Sequence, residues 1–588
     1  MRRALLLTLL LLSPFAGFGQ EVSAADLDRR RKMLADLIDE HWEYVLRTSP
    51  EYASLLGDKR YNDRSSDLSP AALRRDAGQN RAFLRRVEAI GTVGFSDQEK
   101  INKALLARNI RESIESYEMN EWQMPVTQMS GIHLSGAQFP SLLGFATAKD
   151  YDDYIARMRS FPRQIDDTIA AMRVGMRSRL VPPRFLIEKV AGQAESIAAT
   201  AAEQSVFATP LRSFPDGVSE AEKTRIQTEF LDAVRKSMIP AYRKFATFVR
   251  NEYMPAGRTD AGIWSVPNGA ALYAMRARQS TTTSLTPGEI HAIGLREVAR
   301  IETEMLEIAK KLGFDDLKSF NASIEANPEL RARSPEQILG LYRRYIDQMY
   351  AQLPRLFGRL PQAKVEVVEV EAYRAREAAA ANYNAPALDG SRPGRVYVNT
   401  WEPQARKIIS FESTAYHEGV PGHHMQIAIA QELTDLPAFR REGRYTAYVE
   451  GWALYSEVLG KEVGFYESPY SDYGRLQDEM LRAIRLVVDT GLHTKRWTRE
   501  QVVQYFHDHS ALDEVEIQSE TDRYIVWPGQ ALGYKIGQLR ILELRKRARR
   551  ELGERFDVRG FHDEVLGSGA LPLDLLEQRV NSWIARGG

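Results

Sequence analysis

The chain has 588 residues, 44% of them hydrophobic and 27% charged, which is the make-up of a globular protein too long for one simple core. Lys plus Arg and Asp plus Glu number 79 each, so net charge gives no reason to expect nucleic acid or an anionic membrane as a partner. The absence of cysteine excludes disulfides, thiolate metal ligands, a Cys nucleophile and lipid attachment at a Cys, and leaves His and carboxylates to hold any metal.

The N-terminus, MRRALLLTLLLLSPFAGFGQEVSA, has two arginines, an apolar run from Ala4 to Leu12, then Pro14 and small residues. It reads as a secretory signal peptide over 1–24, because the run is shorter than the roughly 20 residues that span a bilayer. The mature protein is therefore expected to be periplasmic or secreted, with no stable membrane insertion.

Apolar residues at three- and four-residue spacing predict helices over 27–50, 70–118, 148–205 and 219–254. A stretch rich in Gly, Ser, Thr and Pro at 255–285 then divides an N-terminal helical lobe (25–260) from a C-terminal catalytic lobe (261–588). Thr286-Pro287-Gly288-Glu289 has the form of a helix start with a capping box. Helices follow at 287–312 and 334–358.

KVEVVEVEAYR (364–374) alternates Val and Glu as a half-buried strand does, and RVYVNTW (395–401) is a second strand, with a turn-rich loop between them. They predict a small antiparallel β-sheet. RVYVNTW fits either an edge strand that pairs with a peptide backbone or an ordinary supporting strand. Beyond it the pattern is helical again, over 404–434, 442–463, 472–494, 499–509, 529–552 and 574–586. The fold class is mainly α.

Residues 417–424 read HEGVPGHH and hold three of the ten histidines. The first two letters match HExxH, the helical zinc site of many metallopeptidases, but Pro421 stands where the second His belongs. Zinc takes three protein ligands and keeps one position for water, whose pKa it lowers to about 7. His417 supplies a ligand and Glu418 the general base. On a straight helix His423 would face away, and His424 would lie about 10.5 Å along the axis. Pro421 removes an amide donor and Gly419 and Gly422 loosen the chain, so the helix is expected to bulge and bring His423 to the metal, with His424 as the alternative. YTAYVEGWALYSEVLG (445–460) offers the third ligand, Glu450, set among aromatic and small residues. Glu457, two turns on, is a candidate to orient a histidine. His507 and His509 lack a glutamate constellation and read as surface or packing residues.

HExxPGHH with EGWALY downstream resembles a bacterial family catalogued as a domain of unknown function. SLTPGEIHAIGL (284–295), GRVYVNTW (394–401), VVDTGLHTKRW (487–497) and RYIVWPGQALGYKIG (523–537) extend the likeness along nearly the whole mature chain. That family looks related to the helical Glu-zincin peptidases, such as angiotensin-converting enzyme, thimet oligopeptidase and carboxypeptidase Taq. The resemblance implies a two-lobed helical shell around a deep channel, Zn2+ held by His, His and Glu, and a Glu base. It also implies a late Tyr or His that donates to the tetrahedral intermediate. Tyr534 is the first choice, with Tyr524 behind it. His493 is read as another donor, or as a partner of Asp489. Arg523 or Lys535 is a candidate for a peptide carboxylate.

The sequence thus predicts an exported zinc metallopeptidase for short peptides, of carboxypeptidase, dipeptidase or oligopeptidase type. A zinc amidohydrolase acting on a peptide-derived or cell-wall substrate would use the same residues. A non-catalytic peptide-binding protein would have no need of Glu418.

Overall fold

The computed structural model describes residues 23–371, 375–386 and 392–588. The expected signal segment lies outside the described residues except for its last two positions. The first helix, Ala24–Thr48, is capped by Ser23, whose hydroxyl accepts the Asp26 N–H, and a new helix begins at Pro50. The helix Pro287–Lys311 opens on the expected capping box: the Thr286 hydroxyl accepts the Glu289 N–H, and the Glu289 carboxylate accepts the Thr286 N–H at 2.8 Å. Among the described residues no helix is long and apolar enough to cross a membrane.

Packing follows burial rather than chain order. Residues 126–253 close a core of their own around Tyr151, Tyr154, Phe230 and Tyr242. Leu34, Phe83 and Ile110, from the first helices, share a core with Tyr416, Trp452 and Ile541 far along the chain.

The sheet has three strands, β1 (Val365–Glu369), β2 (Ala381–Asn384) and β3 (Gly394–Val398), in the order β1-β3-β2. It is mixed, not antiparallel as expected: β1 runs parallel to β3, and β2 runs antiparallel to it. The unpredicted β2 explains the difference, since the chain makes an extra pass before β3. With a strand on each side, β3 (the RVYVNTW stretch) is central, so its backbone is not free to pair with a peptide.

Six helices position the site: α1 (Phe411–Glu418), α2 (His423–Gln431), α3 (Thr446–Glu462), α4 (Pro469–Thr494), α5 (Glu514–Val526) and α6 (Leu532–Leu552). α3 and α6 touch backbone to backbone. A Cβ on Gly451 would lie 2.5 Å from Gly537, and one on Gly537 would lie 1.8 Å from the Ala447 carbonyl oxygen. Gly537→Ala is therefore expected to push the helices apart and lower unfolding stability by about 3 kcal/mol, despite the better helix propensity of Ala. Urea denaturation checks this; an unchanged midpoint would show that α6 slides freely.

Candidate metal centre

The expected bulge at Pro421 is a complete break. α1 stops at Glu418, residues 419–422 are not helical, and α2 starts at His423. The Val420–Pro421 peptide is cis. The chain folds back so tightly that a Cβ on Gly422 would lie 2.0 Å from the His417 carbonyl oxygen and 2.4 Å from that of Tyr416. Only glycine permits that approach. The His424 N–H donates to the Gly419 carbonyl at 3.1 Å, and the Trp452 indole N–H on α3 donates to the Pro421 carbonyl at 2.9 Å. These bonds hold the reversal, and with it the first residue of α2, against the end of α1.

The result is a cluster of His417, His423 and Glu450, each offering one ligand atom, all within 4.8 Å of one another. The imidazoles stand edge to face, with centroids 4.8 Å apart. The Glu450 Oε2 lies 3.7 Å from His417 Nε2 and 3.6 Å from His423 Nε2. Two bonds of about 2.0–2.1 Å at a tetrahedral angle separate ligand atoms by roughly 3.3 Å, so small side-chain movements would let these three close on zinc. His423 Nδ1 is buried with no partner among the described residues, so no hydrogen bond there accounts for the ring's position. Two imidazoles and a carboxylate form a donor set suited to zinc, with room left in its coordination for a fourth group.

Electrostatics favour a cation. Burial opposes ionisation of Glu450, but the two imidazoles outweigh it and hold the carboxyl well below its usual range. Burial likewise disfavours a charged His417, yet Glu450 and Glu457 raise its pKa to about 10. His417 Nδ1–H donates to the buried Glu457 carboxylate at 2.7 Å, which turns Nε2 toward Glu450. Glu457 thus does what the sequence offered as one option: it orients the ring of a candidate ligand. Glu457→Gln is expected to weaken zinc binding about 10- to 100-fold. Competition titration with a chromogenic chelator measures this, and unchanged affinity would rule out the orienting role.

His424 points elsewhere. Its Nε2–H donates to the Ala363 carbonyl and its Nδ1 accepts from the Tyr383 hydroxyl of β2, both at 3.0 Å. Burial pushes its pKa down to about 4. With both nitrogens occupied, it joins the sheet to α2 and is not a member of the cluster. Glu418, half-buried at the end of α1, makes no hydrogen bond through its carboxylate among the described residues.

His493 is not a free donor. Its Nδ1 accepts the Ile263 N–H and its Nε2–H donates to the Tyr524 carbonyl, each at 3.0 Å, and burial lowers its pKa to about 3. It pins two backbone segments together. Nor does it pair with Asp489, which accepts from the Tyr273 hydroxyl at 2.6 Å and from the Gly529 N–H at 3.0 Å. Lys535 is fully buried and bonds Glu479 at 2.6 Å and Glu297 at 3.0 Å, so it is not available to a peptide carboxylate. The Tyr524 hydroxyl is held by Glu520 and Arg485 inside the protein. Tyr534 remains half-buried on α6, under the Arg485 guanidinium at 4.7 Å, and its hydroxyl accepts from Arg523 at 3.4 Å. His507 and His509 make outer ion pairs with Glu514 and Glu302.

Sequence reasoning passed over one group. Asp478 on α4 accepts from the Ser413 hydroxyl of α1 at 2.5 Å, one turn before His417. Burial raises its carboxyl pKa to about 6, with the nearby Glu457 adding to the effect. Its signal was a stripe of charged residues, Asp478, Arg482, Arg485 and Asp489, recurring every three or four positions along one side of α4.

Fold and site together define a mainly helical protein with a candidate His–His–Glu metal centre at a broken helix. Residues 50–580 match the family described as bacterial protein of unknown function (DUF885), and the chain belongs to that family. A crystal structure described as "the putative lipoprotein from Colwellia psychrerythraea" is similar at 30% identity and a TM-score of 0.89, over 95% of this chain and 99% of that one. A "putative lipoprotein of unknown function from Shewanella oneidensis" shares the fold at 16% identity and a TM-score of 0.75, over 93% of this chain and 99% of that one. No curated protein matches the sequence.

Proposed function

We propose that the chain is an exported zinc metallopeptidase that hydrolyses short peptides. The observation that carries this is the convergence of His417, His423 and Glu450 within 4.8 Å, with the carboxylate of Glu418 next in the chain to one of them. In this reading His417, His423 and Glu450 hold the metal, which supplies Lewis acidity toward the scissile carbonyl and an activated water nucleophile. Glu418 takes the proton of the attacking water on a carboxylate oxygen and later delivers it to the leaving amine. Glu457 keeps the His417 proton on Nδ1, and the Tyr534 hydroxyl is the nearest match to the expected late donor. The resemblance to helical Glu-zincin peptidases supports the same reading. Export is supported by the N-terminal sequence and by the descriptions of the related chains.

The test is metal analysis joined to a peptide-library assay. About one zinc per chain should co-purify, 1,10-phenanthroline should abolish cleavage, and added zinc should restore it. A metal-free protein, or one that cleaves equally well after chelation, would overturn the proposal.

A further inference from the structure

The N-terminal helices Ala24–Thr48, Pro70–Glu88 and Asp97–Glu118 enclose, together with residues 439–443, a cavity of about 560 Å³. That volume suits a small organic ligand. None of the residues that line it belongs to the candidate metal centre.

Six aromatic side chains line the cavity: Trp42, Tyr44, Tyr52, Tyr117, Trp122 and Phe439. Trp42 and Tyr52 meet edge to face, and Tyr117 and Trp122 are stacked, each pair with ring centroids 6.2 Å apart. The charges are all of one sign. Lys and Arg account for 79 of the 588 residues, yet none lines this cavity, whereas three acids do, Asp76, Glu121 and Glu442. His41 adds no cation near neutral pH, because burial lowers its pKa to about 4.

Two of these acids lack a counter-ion. Glu121 is paired with Arg276, which lies outside the cavity. Among the described residues, the Asp76 carboxylate accepts only the Tyr44 hydroxyl, at 2.6 Å. Glu442 is half-buried at the end of the short helix Ala438–Arg441, and its carboxylate has no hydrogen-bond or ion-pair partner among the described residues. Burial pushes its pKa up, and Arg444 and Arg441 oppose this only through space. Arg47 stands over the Tyr44 ring at 5.7 Å but does not line the cavity.

A desolvated carboxylate without a partner gains from a cation brought to it, and Trp and Tyr rings attract the same cation through their π faces. A cation on an aliphatic stem satisfies both, its head against the carboxylates and its stem along the rings. Asn109 and Gly443 line this cavity and also a second one of about 620 Å³. Tyr445 and Thr446, at the start of α3 and one turn before Glu450, line that second cavity.

We propose that the aromatic cavity is a binding site for an alkylammonium group, carried by a lysine side chain of a peptide or by a free amine. The site rests on the cavity and not on the peptidase reading, and its test needs no hydrolysis. Isothermal titration of the protein compares three probes without a bond between two residues: Nα-acetyl-lysine amide, Nα-acetyl-norleucine amide and cadaverine. The lysine probe should bind about tenfold or more tightly than the norleucine probe, which has the stem without the ammonium. Cadaverine binding at equal or greater affinity assigns a free amine, and weaker cadaverine binding assigns the peptide-borne group. Glu442→Gln should remove most of the preference at an unchanged melting temperature, and Glu442→Asp should keep part of it. Trp42→Leu, which removes a π face and no charge, should weaken the lysine probe more than the norleucine probe, and serves if the Gln variant fails to fold. Equal affinity for the lysine and norleucine probes, no binding of either cation, or a preference that survives the substitution would overturn the site. Zinc content and hydrolysis are read separately, so failure of the cation site and failure of the peptidase reading are distinct results.

Discussion

Glu418→Gln is expected to keep about one zinc per chain and to cut peptide hydrolysis by roughly a thousandfold. The substitution preserves shape and removes only the basic oxygen. Glu418 is not among the three clustered side chains, so metal retention should not depend on it. Its carboxylate has no hydrogen-bond partner among the described residues, so little else is lost with its charge. Single-turnover assays on a peptide cleaved by wild type, with metal content measured in parallel, separate the two effects. Normal cleavage by the variant would end the general-base assignment. Loss of zinc would make Glu418 part of the metal-holding set instead.

The second large effect is a contrast between neighbours. His423→Ala should lower zinc affinity by orders of magnitude, because two protein ligands remain where catalytic zinc sites use three. His424→Ala should retain zinc. It should instead destabilise the fold by about 2–4 kcal/mol, since it empties a buried position and orphans the Ala363 carbonyl and the Tyr383 hydroxyl. Equal zinc loss in the two variants would remove the distinction drawn from their geometry.

What could be read beforehand, and what could not, follows from the range of the interactions. Helix periodicity and the Thr286 capping box depend on near neighbours, and the structure has both. Glu450 was legible because a lone carboxylate among aromatic and small residues needs a reason. The choice between His423 and His424 was not, since neither fits a straight helix. It turns on a chain reversal whose tightness depends on carbonyls that Gly422 must approach. The strand Ala381–Asn384 escaped because ANYN has no apolar alternation and forms only by pairing with β3. His493 was misread because its two partners are backbone groups 230 and 31 residues away, which leave no trace in side-chain pattern. The stripe from Asp478 to Asp489 was visible throughout; local motifs drew attention away from it.

The HEGVPGHH break places two adjacent imidazoles in different structures. His423 joins the candidate ligands and His424 is clamped to the sheet through Tyr383 and Ala363. One peptide unit therefore joins a residue held by the sheet to a member of the candidate metal cluster. A substitution at Tyr383 that moves His424 is therefore expected to move His423 as well. The sheet thus joins the Gly419 and Trp452 contacts in setting where His423 stands, and changes there should tune the candidate centre without touching its three side chains.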